Sequence, residues 1–190
     1  VPTGLTSSRH LLRAGLTSAA SRARARAGAL ARPRRLGHVP GMSYVMVDIE
    51  ADGPIPGDYS MVSLGAVIVE PGLARSYYGR LRPISERWVP EALAVSGHSR
   101  EETLTFDDPA QVMQRFADWL SAECKDRRVF ISDNNGFDWQ FINWHFHHFL
   151  GHNPFGFSSQ NLGSLYKGLV KDTFKTFKHL RRTAHTHHPV

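Results

Sequence analysis

Hydrophobic residues follow a two-residue period in the middle of the chain, which predicts strands there. Residues 44–50 read Tyr-Val-Met-Val-Asp-Ile-Glu, and their β-branched and aromatic side chains suit a half-buried strand. Two further apolar runs, residues 61–69 and 76–81, are joined by the turn residues Glu-Pro-Gly at 70–72. Together the three runs predict an antiparallel meander.

Two later segments have helical periodicity instead. In residues 109–125 apolar side chains recur at i, i+4, i+7 and i+8, namely Val112, Phe116, Trp119 and Leu120. In residues 137–150 they form two stripes, which predicts a helix buried on two sides. Shorter helices are predicted at residues 90–94 and 162–170, and Ser99 and Glu102 have the spacing of a helix-capping box.

The apolar run at residues 128–132 lies between the two long helical segments and predicts a buried strand. Strand–helix–strand order favours a parallel arrangement of this strand beside the first one. The sequence therefore predicts an α/β domain in which an antiparallel meander is extended by a parallel strand.

These elements place three carboxylates at one edge of the predicted sheet. Asp48 and Glu50 lie two residues apart on the first strand, so their side chains project from the same face. Asp138 lies in the first turn of the helix that follows the strand at 128–132, which would bring it to the same edge. Like charges this close need a cation between them, and hard divalent ions prefer oxygen ligands. The alternative is that the first two acids are merely solvated and that Asp138 stabilises a helix start.

The positive formal charge of +6 belongs to the N-terminal segment. Residues 1–41 hold eight arginines and no acid; removing them from the 23 basic residues leaves 15 against 17 acids, a net charge of −2. Such a domain is a weak non-specific duplex binder, because that affinity comes from neutralising phosphates. We expect any nucleic-acid partner to be short or single-stranded, held by metal and base stacking.

Residues 1–41 are rich in Ala, Arg, Ser and Gly and lack apolar periodicity, which predicts a disordered extension. We favour the interpretation that residues 1–41 lie upstream of the true translation start at Met42, the first methionine. Residues 42–190 would then form the domain, and its expected location is the cytoplasm. The alternative is an organelle transit peptide and a mitochondrial location. Cys124 is the only cysteine, which favours a reducing compartment. No apolar run approaches the ~18 residues of a membrane span, so no membrane association is expected.

The order and spacing of the acidic motifs resemble those of the DEDDh 3′–5′ exonucleases. The motifs are Asp-Ile-Glu at 48–50 and Asn-Asn-Gly-Phe-Asp-Trp-Gln-Phe at 134–141, followed by a late His-rich segment. The family includes oligoribonuclease, ribonuclease T and the proofreading subunit of a bacterial replicative polymerase, and the likeness covers residues 43–190. It implies a ribonuclease H-like fold, a mixed sheet flanked by helices.

The resemblance also implies a site for two Mg²⁺ or Mn²⁺ ions. By position, Asp48, Glu50 and Asp138 match the first three metal-binding acids, and His187 matches the general base, with His188 as the alternative. The fourth acid of the family, expected five residues after the base, is absent, as is the helix that follows it. We therefore expect a truncated domain of low activity.

The residues that follow the first acid pair, Ala51, Asp52 and Gly53, match positions that approach the terminal nucleotide in the family. Family members often have Thr where Ala51 and Asp52 stand, and our hypothesis for Asp52 is that it accepts a hydrogen bond from a ribose hydroxyl. Phe137 and Trp139 are candidates for base stacking, with burial in the core as the favoured interpretation.

The function implied is a metal-dependent exonuclease that releases nucleoside 5′-monophosphates from 3′ ends, with single-stranded or short RNA preferred to DNA. The alternatives are a non-catalytic nucleic-acid-binding module of the same fold and a proofreading-type DNA exonuclease. A homodimer is a further expectation. His145, His148 and His152, with the histidines of residues 185–188, suggest a competing zinc site, but they match no fixed zinc signature.

Overall fold

The structure is a computed structural model that describes residues 41–180. A five-stranded sheet lies at its centre, with the strand order β3-β2-β1-β4-β5. In chain order the strands are β1 (Met42–Ala51), β2 (Met61–Ile68), β3 (Ser76–Arg80), β4 (Arg127–Ser132) and β5 (Ser159–Asn161). The helices are α1 (Pro90–Val95), α2 (Arg100–Thr103), α3 (Pro109–Glu123), α4 (Asn135–Leu150) and α5 (Leu162–Val170), followed by a 3₁₀ turn at Lys178–Leu180. Within these residues none of the helices has the length and apolar character needed to cross a membrane.

Strand β1 is the middle of the sheet and has a partner on each side. It pairs antiparallel with β2, where Val47 faces Ala66, and parallel with β4, where Met46 faces Ile131. Strand β3 continues the antiparallel meander beyond β2. The predicted α/β architecture, with its meander and parallel extension, is confirmed. Strand β5, which pairs parallel with β4, was not predicted because Ser-Gln-Asn carries no apolar pattern.

Helix α3 packs its apolar stripe onto the sheet as its periodicity predicts. The Asp108 side chain accepts a hydrogen bond from the Gln111 N–H, and Pro109 opens the first turn, where its missing N–H costs nothing. The helix then buries Val112, Met113, Phe116 and Leu120 completely. Cys124 at the end of the helix is 2% exposed and serves as a packing residue.

Helix α4 departs from its predicted two-sided burial. One side, formed by Phe141, Ile142, His145 and Phe146, is fully buried against the core. The other side borders a shallow groove of about 610 Å³ that is lined by Pro56, Trp139, Gln140, Asn143, Trp144, His147 and His148. The expectation was wrong because the fully buried members of both stripes, Ile142 and Phe146 of one and Phe141 of the other, lie together on a single side of the helix.

Candidate active site

The carboxyl end of β1 presents Asp48 and Glu50 on one face. Val47 and Ile49 point into the core and are 0% and 3% exposed, while Asp48 between them is exposed and Glu50 is half-buried. The register with β2 shifts between Glu50 and Ala51. A shift of this kind bends the strand locally and re-aims its side chains. The two acids therefore share a face, as predicted, and the second one sits at a bend.

Asp138 reaches β1 across the gap where β1 and β4 separate. Parallel pairing of the two strands ends at Met46 and Ile131, whereas β1 continues to Ala51. Asp138 lies in the first turn of α4, is 1% exposed, and accepts hydrogen bonds from the Ser132 hydroxyl and the Ile49 backbone N–H. Since Ile49 lies between the two acids of β1, this contact brings the third acid to the same strand end.

Polar groups of β4 and β5 fix the turn that carries Asp138. The Asn135 amide donates to the Ser132 hydroxyl at 3.3 Å and to the Gln160 carbonyl at 3.2 Å, and it accepts from the Ser159 hydroxyl at 2.8 Å. Sequence reasoning missed this role of Asn135, whose only signal was its place in the Asn-Asn-Gly turn. The start of α4 is therefore attached to two strands of the sheet.

The three carboxyls form one electrostatic group. Burial raises the pKa of Glu50 to about 7, and the charges of Asp48 and Asp138 add to the effect. Burial and the Asp48 charge raise the pKa of Asp138 to about 7, although its hydrogen bonds from Ser132 and Ile49 act to lower it. The Asp138 Oδ2 atom is buried and has no hydrogen-bond partner among residues 41–180. An additional positive charge at this place would favour the ionised forms.

The donor chemistry of this group fits a hard divalent cation, which takes carboxylate oxygens as ligands. An unpartnered buried oxygen on Asp138 is the observation that favours such an ion. Within residues 41–180, however, no three Asp, Glu, His or Cys side chains converge closely enough to hold an ion as they stand. Binding would therefore require the exposed Asp48 and half-buried Glu50 side chains to move toward the fixed Asp138.

The hypothesis that Asp52 contacts a ribose hydroxyl is wrong for this structure. Its side chain is 0% exposed, and its two carboxylate oxygens accept hydrogen bonds from the Ser60 N–H at 2.6 Å and from Arg100 Nη1 at 2.8 Å. Burial raises the pKa of Asp52, while Ser60 and Arg100 act to lower it. Ala51 and Gly53 are buried as well, so none of the three side-chain positions faces solvent.

The aromatic candidates for base stacking are half-buried. Phe137 packs against Phe141 with ring centroids 5.1 Å apart, and Trp139 meets Phe130 edge-on at 5.1 Å. Both support the core, as the favoured interpretation predicted, while each keeps part of its surface exposed.

The histidines of α4 form no metal cluster within the described part of the chain. His145 is fully buried with Nδ1 2.8 Å from the Phe141 carbonyl oxygen, and burial lowers its pKa to about 4. His148 stacks on Trp144 at 4.3 Å. His185, His187 and His188 lie outside residues 41–180, so the assignment of the general base to His187 stays a prediction.

Comparison with known proteins assigns the chain to a family. No protein-family model matches it. The Escherichia coli protein named 3′–5′ DNA exonuclease Cap18 is 44% identical over 131 residues, which are 66% of this chain and 68% of Cap18. The chain belongs to the DEDD family of 3′–5′ exonucleases. This DEDD assignment confirms at family level the resemblance found in the acidic motifs.

Solved structures of E. coli exonuclease I share the ribonuclease H-like fold of this DEDD protein. The complex with a 5cy-dA13 oligonucleotide matches with a TM-score of 0.57 at 14% identity, over 68% of this chain and 30% of exonuclease I. The zinc-bound form of the exonuclease I complex with single-stranded DNA matches with a TM-score of 0.55 at 15% identity, over the same shares. The chain thus spans less than a third of exonuclease I, and this likeness concerns the fold.

Proposed function

We propose that the protein is a metal-dependent exonuclease that removes nucleotides from the 3′ end of single-stranded DNA. The observation that carries the proposal is the electrostatic grouping of Asp48, Glu50 and Asp138 at one end of the sheet. DNA replaces the RNA expected from sequence because Cap18 is named as a DNA exonuclease and exonuclease I was crystallised with single-stranded DNA. The net charge of −2 over residues 42–190 also favours a single strand over a duplex.

In this proposal Asp48, Glu50 and Asp138 would hold two Mg²⁺ or Mn²⁺ ions. Divalent ions bound there supply charge stabilisation for the scissile phosphate and lower the pKa of bound water. Asp138 is the fixed donor, because Ser132 and Ile49 orient its carboxylate. His187 takes the proton of the attacking water, a role that suits an imidazole with an intrinsic pKa of ~6.5. The product is a nucleoside 5′-monophosphate.

The test uses a single-stranded DNA oligomer labelled at its 5′ end. Mg²⁺ or Mn²⁺ should support stepwise shortening from the 3′ end with release of nucleoside 5′-monophosphates, and EDTA should abolish it. Asp48→Asn and Asp138→Asn should each lower the rate by orders of magnitude. Asp118→Asn is the matched control, because Asp118 is exposed on α3 and accepts a hydrogen bond from Gln114. The control should keep the wild-type rate.

Two results would count against the proposal. Binding of the strand without release of monophosphates, with either ion, would favour the non-catalytic binding module instead. Faster cleavage of an RNA oligomer of the same sequence would overturn the choice of DNA and restore the ribonuclease expectation, while leaving the metal site intact.

A further inference from the structure

We propose that Arg100 is a positioning residue that fixes the Glu50 end of β1 through a buried ion pair with Asp52. The two residues are 48 positions apart in the chain, and Arg100 Nη1 lies 2.8 Å from Asp52 Oδ2. The Asp52 side chain is 0% exposed and that of Arg100 only 13% exposed. The kinetic consequences rest on the proposed nuclease function, whereas the structural consequences do not.

Asp52 joins three segments because each of its polar groups has a partner. Its backbone N–H donates to the Ser60 carbonyl at 2.9 Å, and its carbonyl accepts from the Val89 N–H at 2.8 Å. Its Oδ1 accepts from the Ser60 N–H at 2.6 Å, which leaves Oδ2 for Arg100. The loop after β1, the segment before α1 and the start of α2 therefore meet at one residue.

Arg100 holds the same segments with its second nitrogen. Its Nη2 donates to the Ser85 carbonyl at 2.7 Å, and its guanidinium carbon lies 5.8 Å from the centroid of the Trp88 ring. The buried Ser60 hydroxyl accepts from the Ile84 and Ser85 N–H groups at 3.0 and 3.3 Å. A planar guanidinium suits this task, because its donors are fixed relative to one another.

We call the Asp52–Arg100 ion pair, with its hydrogen bonds to Ser60 and Ser85, the clamp. It affects the candidate site because it holds β1 where the strand has little pairing of its own. Beyond Met46 the strand has lost its pairing with β4, and its register with β2 shifts immediately after Glu50. Asp52, two residues further on, supplies the next fixed point. The same loop also contacts α4, since Gln140 Nε2 donates to the Pro54 carbonyl at 3.1 Å. Fixing the loop therefore relates the strand that carries Glu50 to the helix that carries Asp138.

Stability alone does not account for a charged pair at this place. Buried ion pairs gain little over apolar residues of similar volume, whereas removal of one partner leaves an uncompensated buried charge. What the pair adds is orientation, because Arg100 can donate to both Asp52 and the Ser85 carbonyl only when the loop has one particular placement.

The experiment compares Arg100→Gln and Arg100→Lys with Arg115→Gln as the matched control. Arg115 also forms an ion pair, with Asp107, but both side chains are about half exposed. Amide hydrogen exchange at residues 50–60 should become about tenfold faster in Arg100→Gln. In the wild type, local opening of this segment must break the hydrogen bonds of Arg100, and the variant lacks those bonds. Mn²⁺ binding, followed by electron paramagnetic resonance of the free ion, should weaken by ~10–100-fold, the usual effect of losing a group that orients a ligand.

The kcat on single-stranded DNA should fall with the Mn²⁺ affinity in Arg100→Gln, while KM changes less. Arg100→Lys keeps the charge and one of the two hydrogen bonds, so its exchange rate, Mn²⁺ affinity and kcat should lie between those of Arg100→Gln and the wild type. If Arg100→Gln does not fold, Arg100→Lys tests the role of Arg100 in its place. Arg115→Gln should match the wild type throughout.

Unchanged exchange at residues 50–60 in both Arg100 variants, with or without a lower melting temperature, would overturn the proposal and make Arg100 a structural residue only. If the wild type released no monophosphates, the proposed function would fail, but the exchange measurement would still decide the role of Arg100. Faster exchange at residues 50–60 with unaltered Mn²⁺ affinity would also count against it, because the clamp would then not position Glu50.

Discussion

The three acids Asp48, Glu50 and Asp138 form what we call the acid group. The folded environment of Asp138 disfavours the charged form of its side chain. Asp138 is buried with one oxygen that lacks a partner among residues 41–180, and the neighbouring Asp48 charge adds repulsion. Its pKa is about 7 in the folded protein, against 3.8 for the ordinary side chain. The folded state therefore binds a proton between pH ~4 and ~7 that the unfolded chain has already released.

We expect Asp138→Asn to gain stability relative to the wild type as the pH rises from about 5 to about 7.5 in the absence of metal. In that window the folded wild type binds more protons than the unfolded chain, so this carboxyl makes wild-type stability fall with rising pH. An amide does not titrate and escapes the effect. Urea unfolding in EDTA at the two pH values measures the difference, and added Mg²⁺ should narrow it at the higher pH.

The stability of Asp138→Asn must be compared with that of the wild type at each pH, because His145 makes stability change with pH in the opposite direction. Burial lowers the pKa of His145 to about 4, so its contribution to stability is present above pH ~6.5 and is lost as the pH falls toward 4. This contribution is common to the wild type and to Asp138→Asn and cancels in their difference. The matched control is Asp118→Asn, at an exposed position of α3; a difference there as large as that of Asp138→Asn would contradict the assignment.

At the scale of elements, sequence patterns predict the strands and helices that have a regular hydrophobic period. They miss contacts between residues that lie far apart in the chain. The apolar periods of β1 and α3 locate both elements within a few residues, and the strand–helix–strand order places Asp138 beside β1. Strand β5 is polar and too short to show a period. The Asp52–Arg100 pair spans 48 positions and depends on how two loops fold, which no local pattern encodes.

The loop after β1 also depends on Gly53, for a reason of space. A Cβ at Gly53 would overlap Tyr59 Cδ1 and lie 2.8 Å from Tyr59 Cβ, so Tyr59 would have to move. We expect Gly53→Ala to lower the free energy of unfolding by ~1–3 kcal/mol, as overpacking does. It should also slow the exonuclease, because Tyr59 precedes Ser60, which holds Asp52. Urea unfolding and the DNA assay measure the two effects.

Gly136→Ala is the matched control for the unfolding measurement. Gly136 lies in the first turn of α4, and no described atom comes within 4 Å of its Cβ position other than its immediate neighbours and the helix backbone. Since Ala is the better helix former, this change should be neutral or stabilise by up to ~1 kcal/mol. Equal losses of stability in the two variants would show that the contact with Tyr59 is not the cause at Gly53.

At the scale of the whole molecule, charge is divided unevenly along the chain. Residues 1–41 carry eight arginines without an acid, while residues 42–190 have a net charge of −2. An acidic domain repels a polyanion, except where bound divalent ions or local basic groups reverse the field. In a chain that carries residues 1–41, long-range attraction of DNA in the proposed function therefore falls to their arginines, while Asp48, Glu50 and Asp138 act on the 3′ end.

Removal of residues 1–41 should weaken the salt dependence of DNA binding. On a single strand each neutralised phosphate contributes about −0.7 to the slope of log K against log salt, so loss of eight contacts would reduce its magnitude by up to ~6. Fluorescence anisotropy with a single-stranded oligomer in EDTA, between about 50 and 300 mM salt, measures the slope without cleavage. The full chain with the eight arginines of residues 1–41 changed to glutamine is the matched control and should behave like the shortened chain. Equal slopes in all three proteins would mean that residues 42–190 supply the phosphate contacts themselves.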